Sequence, residues 1–389
     1  MKADFSVMVV GLGPAGAAAA VELARAGARV LVLEARLGRE KPCGGCLSRR
    51  GVEALGFLDP PAWLTAWPVE TLWLTAPGQE PLCSRAGEPA AWFVQRPRLD
   101  AWLAERAAQA GAEIRQAKVT RVTSQTGSFR VATDRGTWQA AWLVGADGAL
   151  GRVGRDLGLG RTGHVFAALV EERPLPGRLA GLLAGAALIE LGSAPGGYGW
   201  AFGRGDTLNL GLAGRTGRRG ALPQGLHRPY ARFLARHGLG QPGRVRGALI
   251  PCPPGRRGVV QRGRALVVGD AAGLADPFLG EGIAPAVYSG RLAARAILAG
   301  NPERYPAELA DTLWRDHAHA ARLAWLTFGW PTLFQGLARR HPGGLELGWD
   351  ILRGAVQPTG VWAALVRGLV GRPWPLDPRG GSYYSNPLS

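Results

Sequence analysis

The chain has 389 residues, of which 47% are hydrophobic, and its formal net charge is +17. This length exceeds that of one ordinary domain, so we expect two domains with enough apolar residues for a sizeable core. The arginines are scattered and form no run longer than a pair, which is typical of a composition bias. An anionic membrane surface is the second interpretation of the charge, and nucleic-acid binding is not expected.

The number of cysteines and the length of the apolar segments indicate the cellular compartment in which we expect the protein. Four cysteines are too few for a disulfide framework in a chain of this length. No window holds the roughly 18 apolar residues that span a bilayer, and the N-terminus enters an apolar strand almost at once, without a signal peptide. We therefore expect a cytoplasmic protein, with a peripheral membrane association left open.

The segment from Phe5 to Glu34 predicts a strand, a glycine turn, a helix and a second strand. Phe5 to Val10 is an apolar run of the kind that a buried parallel strand needs, and Ala17 to Ala26 favours a helix. Between them lies Gly11-Leu12-Gly13-Pro14-Ala15-Gly16. A strand before this spacing and a helix after it are the context that indicates a dinucleotide site.

The three glycines of this turn and Glu34 have separate roles. Gly11 allows a sharp turn, Gly13 a close approach to a pyrophosphate, and Gly16 close packing of the helix on the strand. The helix N-terminus offers unpaired N–H groups to the phosphates. Glu34, at the end of the second strand, is placed to accept hydrogen bonds from a ribose.

Further along the chain, strands and helices alternate. Strands are predicted within 69–95, a helix from Arg96 to about Ala110, and strands over 113–122, 128–134 and 137–144. Residues 161–254 hold short strands between glycine and proline turns, with a hairpin turn at Arg204-Gly205-Asp206 and a helix near 229–237. A strand at 265–268, a helix over 284–298 and a Trp-rich helical stretch over 303–370 complete the chain.

Three motifs stand in order along the chain: Gly11 to Gly16, Gly145-Ala146-Asp147-Gly148, and Gly269-Asp270-Ala271-Ala272-Gly273. Together they resemble the FAD-binding signature of the flavoprotein hydroxylase and reductase superfamily. Three further segments resemble the geranylgeranyl reductase family within it, over roughly residues 5 to 300. They are Lys41-Pro42-Cys43-Gly44-Gly45, Gly197-Tyr198-Gly199-Trp200-Ala201-Phe202 and Pro277-Phe278-Leu279-Gly280-Glu281-Gly282-Ile283.

The resemblance implies an α/β fold with a Rossmann-like FAD-binding domain, an inserted antiparallel β-sheet substrate domain and a helical C-terminus. We place the FAD-binding domain in residues 1–68, 96–160 and 256–302, and the substrate domain in 69–95 and 161–255. Residues 303–389 form the helical C-terminal region, with a loose tail from Arg372. The chain departs from the family at Cys46, where the family often has a glycine, and at Gly203, where it often has a proline.

The motifs and the resemblance together define a set of cofactor-binding candidates. Asp270 is suited to a ribityl hydroxyl, and the helix after Ile283 can direct N–H groups at the flavin. Arg96 is interpreted either as a residue near the cofactor or as a surface arginine. The full set is Gly11, Gly13, Pro14, Ala15, Gly16, Glu34, Ala35, Arg96, Val119, Asp147, Gly148, Gly269, Asp270, Gly280, Gly282 and Ile283.

The resemblance also implies a substrate site, with Cys43 and Tyr198 as catalytic candidates. The substrate-binding candidates are Gly44, Gly45, Tyr198, Trp200 and Phe202. Because Tyr198, Trp200 and Phe202 alternate on a strand, they share one face, which lines either a prenyl channel or a core. Cys43 and Cys46 also leave open a redox dithiol or half of a zinc site, although we expect no metal.

The function that the resemblance implies is reduction of carbon–carbon double bonds in a geranylgeranyl or polyprenyl group, with hydride from reduced FAD. The electron donor would be NADPH or a ferredoxin, and the partner an isoprenoid or prenyl-lipid substrate. One alternative is an FAD monooxygenase that hydroxylates or epoxidises an apolar substrate. Another is a flavoprotein that carries electrons at a membrane surface.

Overall fold

The computed structural model describes residues 5–160, 165–215, 224–252, 258–340 and 343–355, so the predicted loose tail lies outside the described residues. The helices are α1 (Pro14–Arg25), α2 (Arg49–Leu55), α3 (Arg96–Gln109), α4 (Arg152–Leu157), α5 (Gly177–Leu183), α6 (His227–Arg236), α7 (Ile283–Leu298), α8 (Arg304–Leu309), α9 (Arg315–Gly329), α10 (Pro331–Arg340) and α11 (Gly343–Arg353). The strands are β1 (Phe5–Val10), β2 (Val30–Glu34), β3 (Cys46–Ser48), β4 (Thr71–Thr75), β5 (Leu82–Arg85), β6 (Ala91–Phe93), β7 (Glu113–Gln116), β8 (Val119–Gln125), β9 (Ser128–Thr133), β10 (Gly136–Gly145), β11 (Val165–Pro174), β12 (Ala186–Leu191), β13 (Tyr198–Arg204), β14 (Thr207–Arg215), β15 (Arg246–Pro251), β16 (Gln261–Arg262) and β17 (Ala265–Val267).

The chain divides into two compact units. Unit 1 holds Met1–Lys41, Arg96–Gly163 and Ile250–Arg315, and unit 2 holds Pro42–Gln95, His164–Leu249 and Asp316–Ser389. This division differs from the predicted one, which placed residues 42–68 with the nucleotide-binding segments and kept the C-terminal helices separate. The physical reason is pairing within unit 2: β3 pairs with β6, and the Gln335 amide of α10 donates to the carbonyl of Glu80 at 2.7 Å.

The sheet of unit 1 follows the order β16-β17-β10-β1-β2-β7, with β9 paired to β10 and β8 to β9. β1 is parallel to both β10 and β2, and β2 is fully buried, as the apolar runs predict. The prediction of one strand over 113–122 is wrong. β7 pairs with β2, whereas β8 pairs with β9, so the chain changes partner after Gln116.

Small residues let α1 and α7 approach closely in unit 1. Ala17 to Ala20 are completely buried on α1, and a Cβ added to Gly290 of α7 would lie 2.2 Å from the carbonyl oxygen of Ala15. α1 begins at Pro14, three residues earlier than predicted, because proline suits a first helical turn whose N–H groups have no intrahelical partner.

The sheet of unit 2 follows the order β15-β11-β14-β13-β12-β4-β5. β11, β14, β13 and β12 are antiparallel neighbours, whereas β12 and β4 are parallel. The predicted hairpin turn is confirmed, with Gly205 at φ +54 between β13 and β14. One sheet face packs its leucines against α6, whose Tyr230, Phe233 and Leu234 are completely buried. The opposite face is therefore available for other contacts.

No C-terminal helix in the described part of the chain could span a membrane. None of these helices has both the length and the hydropathy that crossing a bilayer requires. The predicted break of the apolar stretch at Pro331 is confirmed, since α9 ends at Gly329 and α10 begins at Pro331.

A buried carboxylate ties α6 to β12 in unit 2. Glu190 is only 2% exposed and accepts hydrogen bonds from Arg236 and from the hydroxyl of Ser193 at 2.6 Å, and His237 Nε2 lies 2.7 Å from its Oε2. Burial by itself would raise the pKa of Glu190, but the hydrogen bonds of His237, Arg236 and Ser193 outweigh it and lower the pKa to about 2. The ionised form therefore stabilises the fold.

We expect Glu190→Gln to remove this contribution while keeping the side-chain shape. Because the folded pKa lies below the usual value of 4.5, the stabilisation is complete above that pH and is lost as the pH falls toward 2. The free energy of unfolding should drop by roughly 3 kcal/mol at pH 6, and the difference from wild type should shrink toward pH 2. Urea unfolding across this range measures it, and an equal difference at both ends would contradict the assignment.

Candidate functional site

The carboxyl ends of β1 and β10 meet in unit 1 through a close backbone contact. Gly11 has φ +99, and a Cβ added there would lie 2.3 Å from the carbonyl oxygen of Ala146. A Cβ added to Gly16 would lie 1.9 Å from the carbonyl oxygen of Gly11. β1 leads to β2 on one side and β10 to β17 on the other, so this is the switch point where open α/β sheets bind ligands.

Gly13 opens this edge of the sheet to a ligand. It is the N-cap of α1 and has no side chain with which to cap the first turn. A Cβ added there would meet no heavy atom within 4 Å among the residues that the structure describes. Uncapped N–H groups at a helix N-terminus, beside open space, are what a pyrophosphate requires. Pro14 and Ala15 form the first turn behind it.

Glu34 lies at the end of β2 beside the same turn and is 5% exposed. Its carboxylate accepts hydrogen bonds from the backbone N–H groups of Leu12 at 2.8 Å and Arg36 at 3.1 Å. A carboxylate oxygen can accept more than one hydrogen bond, so the group keeps capacity for a ribose hydroxyl. Ala35 follows it and is exposed.

Val119 is placed near this edge by β7. The N–H of Ala117, just after β7, donates to the carbonyl oxygen of Glu34 at 2.9 Å. Val119 begins β8 two residues later and is half-buried. The structure therefore brings Val119 and Glu34 to neighbouring chain segments, and the role of Val119 toward a cofactor stays a prediction.

The carboxylate of Asp147 accepts hydrogen bonds from the backbone of its own chain. Its Oδ2 accepts hydrogen bonds from the backbone N–H groups of Arg152 at 2.5 Å and Val153 at 2.9 Å, at the start of α4. Burial raises the pKa of Asp147, and these backbone bonds offset part of the rise. Gly148 follows with φ +80. The role of both residues toward a cofactor stays a prediction.

Asp270 in the third motif contacts Lys41, a residue that was not predicted to belong to the site. Asp270 Oδ2 accepts a hydrogen bond from Nζ of Lys41 at 2.7 Å. A Cβ on Gly282 would lie 3.4 Å from Asp270 Oδ1, so the start of α7 approaches the same carboxylate. Gly269 lies between Ala15 and α7 with φ +55. Lys41, one of only three lysines, thus joins the candidate cofactor residues.

The loop before α7 is arranged by Asp276. Asp276 Oδ1 accepts hydrogen bonds from the N–H groups of Phe278 and Leu279, each at 2.8 Å. Gly280 has φ +68, and Gly282 is an N-cap without a side chain before Ile283. The first turn of α7 is therefore built like that of α1, with N–H groups that no N-cap side chain occupies.

Arg96 opens α3 and is buried, so its interpretation as a surface arginine is wrong. Its guanidinium makes a paired hydrogen bond with Asp100 one turn later, with Nη2 at 2.9 Å from both carboxylate oxygens. A paired Arg–carboxylate contact fixes the plane of the guanidinium. Whether Arg96 also binds a cofactor stays a prediction.

In unit 2 the loop of residues 42–45, which we name the Cys43 loop, lies against the aromatic face of β13. A Cβ on Gly44 would lie 3.1 Å from the ring of Phe202 and 3.4 Å from the indole nitrogen of Trp200. Gly45 has φ +70, and its carbonyl accepts from the N–H of Val94 at 2.7 Å. The N–H of Gly45 donates to the sulfur of Cys43 at 3.3 Å. The two glycines thus allow the loop to pack closely.

Asn209 on β14 holds this loop and the indole together. Its Oδ1 accepts a hydrogen bond from Trp200 Nε1 at 2.8 Å, and its Nδ2 donates to the carbonyl oxygen of Cys43 at 3.0 Å. Nδ2 also donates to Glu172, which pairs with the buried Arg204. Asn209 is not among the residues predicted from the sequence, although a lone amide within the apolar run Leu208 to Leu212 is a signal that could have identified it.

Aromatic rings form a continuous row along the face of β13. Tyr198, Trp200 and Phe202 do share one face, with ring centroids 6.0 and 6.1 Å apart. Phe93 of β6 stacks on Phe202 at 5.3 Å, and Phe328 of α9 stacks on Tyr198 at 5.5 Å. Trp200, Phe202, Phe93 and Phe328 are all buried, and the role of this face as a prenyl channel stays a prediction beside the alternative of a core.

The departures from the family pattern have structural reasons. A Cβ on Gly203 would lie 1.8 Å from the carbonyl oxygen of Leu183, so glycine lets the end of α5 approach β13. Cys46 begins β3 and pairs with Phe93. None of the four cysteines forms a disulfide bond, and no group of metal-ligating side chains occurs among the described residues.

Comparison with known proteins defines the class to which this arrangement belongs. A model of the FAD binding domain matches residues 4–172. The first motif, the uncapped start of α1 and Glu34 fit the ADP half of FAD, so the protein is an FAD-dependent oxidoreductase.

The relatives narrow the class. The chain is 30% identical over 336 residues to digeranylgeranylglycerophospholipid reductase of Methanosphaerula palustris, over 81% of this chain and 82% of the relative. It is 32% identical over 350 residues to menaquinone reductase of Mycobacterium tuberculosis, covering 82% and 83%. A geranylgeranyl bacteriochlorophyll reductase-like structure from Thermoplasma acidophilum superposes with a TM-score of 0.71, at 23% identity and 97% coverage of each chain. The chain belongs to the geranylgeranyl reductase family.

A matched pair of alanine substitutions tests the pyrophosphate site. In Gly13→Ala the new methyl group meets open space, so the apoprotein should keep its stability to within about 1 kcal/mol. That methyl group would occupy the approach to the phosphates, so FAD affinity should fall at least roughly tenfold, a loss of about 1.4 kcal/mol. Flavin titration and thermal unfolding of the apoprotein measure the two effects.

Gly16→Ala is the control for this pair. Its methyl group would overlap the carbonyl of Gly11 at 1.9 Å, so the apoprotein itself should lose stability. Equal FAD affinity of Gly13→Ala and wild type would show that Gly13 does not face the phosphates.

Substitution of Asn209 tests its hold on the Cys43 loop. Asn209→Leu removes the donor to the Cys43 carbonyl, so the loop should open more often and Cys43 should react with a thiol reagent roughly five-fold faster. Cys83, exposed on β5, is the internal control and should keep its rate. Mass spectrometry of the labelled peptides measures both rates, and an unchanged Cys43 rate would show that Asn209 does not anchor the loop.

Proposed function

We propose that the protein reduces carbon–carbon double bonds in a geranylgeranyl or related polyprenyl group of a lipid. The observation that carries the proposal is the aromatic row of unit 2 beside the Cys43 loop, in a chain of this family. Two relatives support the substrate class, because digeranylgeranylglycerophospholipid and menaquinone are both lipids with polyprenyl chains.

The sheet of unit 2 is the proposed substrate domain. Tyr198, Trp200 and Phe202 would line the path of the prenyl chain, and Gly44 and Gly45 would contribute by letting the Cys43 loop pack closely beside these rings. Each buried CH2 group contributes about 0.8 kcal/mol, so a long isoprenoid can bind through its tail alone. This mode of binding requires no particular head group, which agrees with the different lipids named for the relatives.

The cofactor and the side chains of the protein would supply different parts of the reaction. Bound FAD, once reduced, supplies a hydride for one carbon of the double bond. The other carbon needs a proton, and the Cys43 thiol and the Tyr198 hydroxyl are the candidate groups to hold it. The Gly45 N–H that donates to the Cys43 sulfur orients this side chain. NADPH or a ferredoxin is the proposed electron donor.

Asn209 would support the reaction by holding two other residues in place. It fixes the indole of Trp200 and the backbone of Cys43 relative to each other through two hydrogen bonds. Such an arrangement would keep the double bond and the proton donor in one geometry, and correct positioning of reacting groups lowers the barrier. We place the protein in the cytoplasm, in peripheral contact with a membrane.

Two other functions remain as alternatives. An FAD monooxygenase would use the same cofactor motifs on an apolar substrate but would insert an oxygen atom. A flavoprotein electron carrier would pass electrons without changing a prenyl chain. We favour the reductase because the glycine loop and the aromatic strand are the segments that resemble the geranylgeranyl reductase family, and because the relatives named above are reductases.

An anaerobic turnover experiment separates these functions. The purified protein is loaded with FAD, reduced by dithionite and mixed with a geranylgeranyl lipid. We expect the flavin to reoxidise and the product mass to increase by about two units for each double bond reduced, because hydride and proton are added together.

Reoxidation only after oxygen is admitted, with an oxygen atom in the product, would establish the monooxygenase instead. Reoxidation by a quinone without any change in prenyl mass would establish the electron carrier. A redox-inactive saturated lipid is the control for nonspecific reoxidation.

A further inference from the structure

The outer surface of α9 and α10 exposes large apolar side chains. Trp325 is 56% exposed, Trp330 45% and Leu333 56%. The two indoles pack edge to face with centroids 4.6 Å apart, so they form one patch across the break at Pro331. We name Trp325, Trp330 and Leu333 the tryptophan patch. Exposed apolar residues that adjoin one another mark interaction sites, whereas single ones need no explanation.

Positive charge flanks the tryptophan patch. Arg322 precedes Trp325 by three residues and Arg340 follows Leu333 by seven, so helical spacing places each on the same face as its apolar neighbour. Both arginines are exposed. From His317 to Leu345 the sequence has three arginines and no acidic residue, within a chain of net charge +17.

This combination fits one occupant. Tryptophan is favoured at the boundary between lipid head groups and acyl chains, because its ring is apolar and its N–H is polar. Arginines beside such residues bind the phosphates of an anionic leaflet. We propose that the tryptophan patch, with Arg322 and Arg340, docks the protein on an anionic phospholipid bilayer.

The buried side of α9 connects this surface to the aromatic row. Phe328 follows Trp325 by three residues, is buried, and stacks on Tyr198 at 5.5 Å. Trp200, Phe202 and Phe93 continue the row inward. The patch and the aromatic row thus lie on the exposed and the buried side of one helix, so a prenyl chain that leaves the bilayer at the patch would reach the row beside α9. This second role, as the entrance for substrate, rests on the proposed function, whereas docking itself does not.

Vesicle binding tests the docking. The full-length protein is mixed with sedimentable vesicles of phosphatidylcholine alone or of an equal mixture with phosphatidylglycerol. We expect binding to the anionic vesicles that weakens with salt. Arg322→Gln with Arg340→Gln should lower the partition coefficient about five-fold for each arginine. The matched control is Arg121→Gln with Arg135→Gln, which removes the same charge from exposed positions in unit 1 and should bind like wild type.

Trp325→Ala with Trp330→Ala tests the apolar part. We expect at least a roughly tenfold loss of partitioning, with Leu298→Ala, an exposed leucine of unit 1, as the control. Equal binding of the Trp variant and wild type would overturn the proposal. A Trp variant that changes its oligomeric state on gel filtration but binds vesicles like wild type would also overturn the proposal, since the patch would then be a contact between copies of the chain.

The entrance role has its own readout. The Trp variant should lose turnover of a geranylgeranyl lipid embedded in vesicles but keep turnover of the same lipid dispersed in detergent. Equal loss in both would overturn the entrance role. If wild type reduced neither substrate while still binding vesicles, the proposed function would fail and the docking surface would stand.

Discussion

The close backbone contact among Gly11, Gly16 and Ala146 is the constraint on which unit 1 depends. A side chain at either glycine would overlap a carbonyl oxygen at about 2 Å, so only glycine lets β1, α1 and β10 converge. The convergence places the first turn of α1 at the switch point of the sheet, next to Glu34. The cofactor site follows from this packing, because the same contact brings the first turn of α1, which has no side-chain cap, to the carboxyl ends of β1 and β10.

Unit 2 solves a similar packing problem with hydrogen bonds as well as glycines. A Cβ on Gly211 would lie 2.0 Å from the indole of Trp200, so glycine makes room for the ring on the sheet face. Asn209, its near neighbour on β14, then holds the indole nitrogen and the Cys43 carbonyl. A buried amide that lost these partners would destabilise the fold, so the arrangement specifies one position for the loop.

Charged side chains have different roles where they are buried and where they are exposed. The pairs of Glu190 with Arg236 and of Lys41 with Asp270 are partly or wholly buried, so they fix local geometry and are screened little by salt. The arginines beside the tryptophan patch are exposed and therefore act through long-range attraction. The net charge of +17 alone does not distinguish these uses.

The sequence by itself determined the FAD motifs, the alternation of Tyr198, Trp200 and Phe202, the hairpin at Gly205 and the break at Pro331. These features depend on local rules, since a glycine spacing, a strand period or a proline acts within a few residues. Only the tertiary structure decided that Asp270 meets Lys41, that Asn209 meets Cys43, and that Phe93 and Phe328 extend the aromatic row. It also moved residues 42–68 into unit 2 and divided the strand predicted over 113–122. Each of these depends on partners far apart in the chain, whose pairing is set by packing and not by any local pattern.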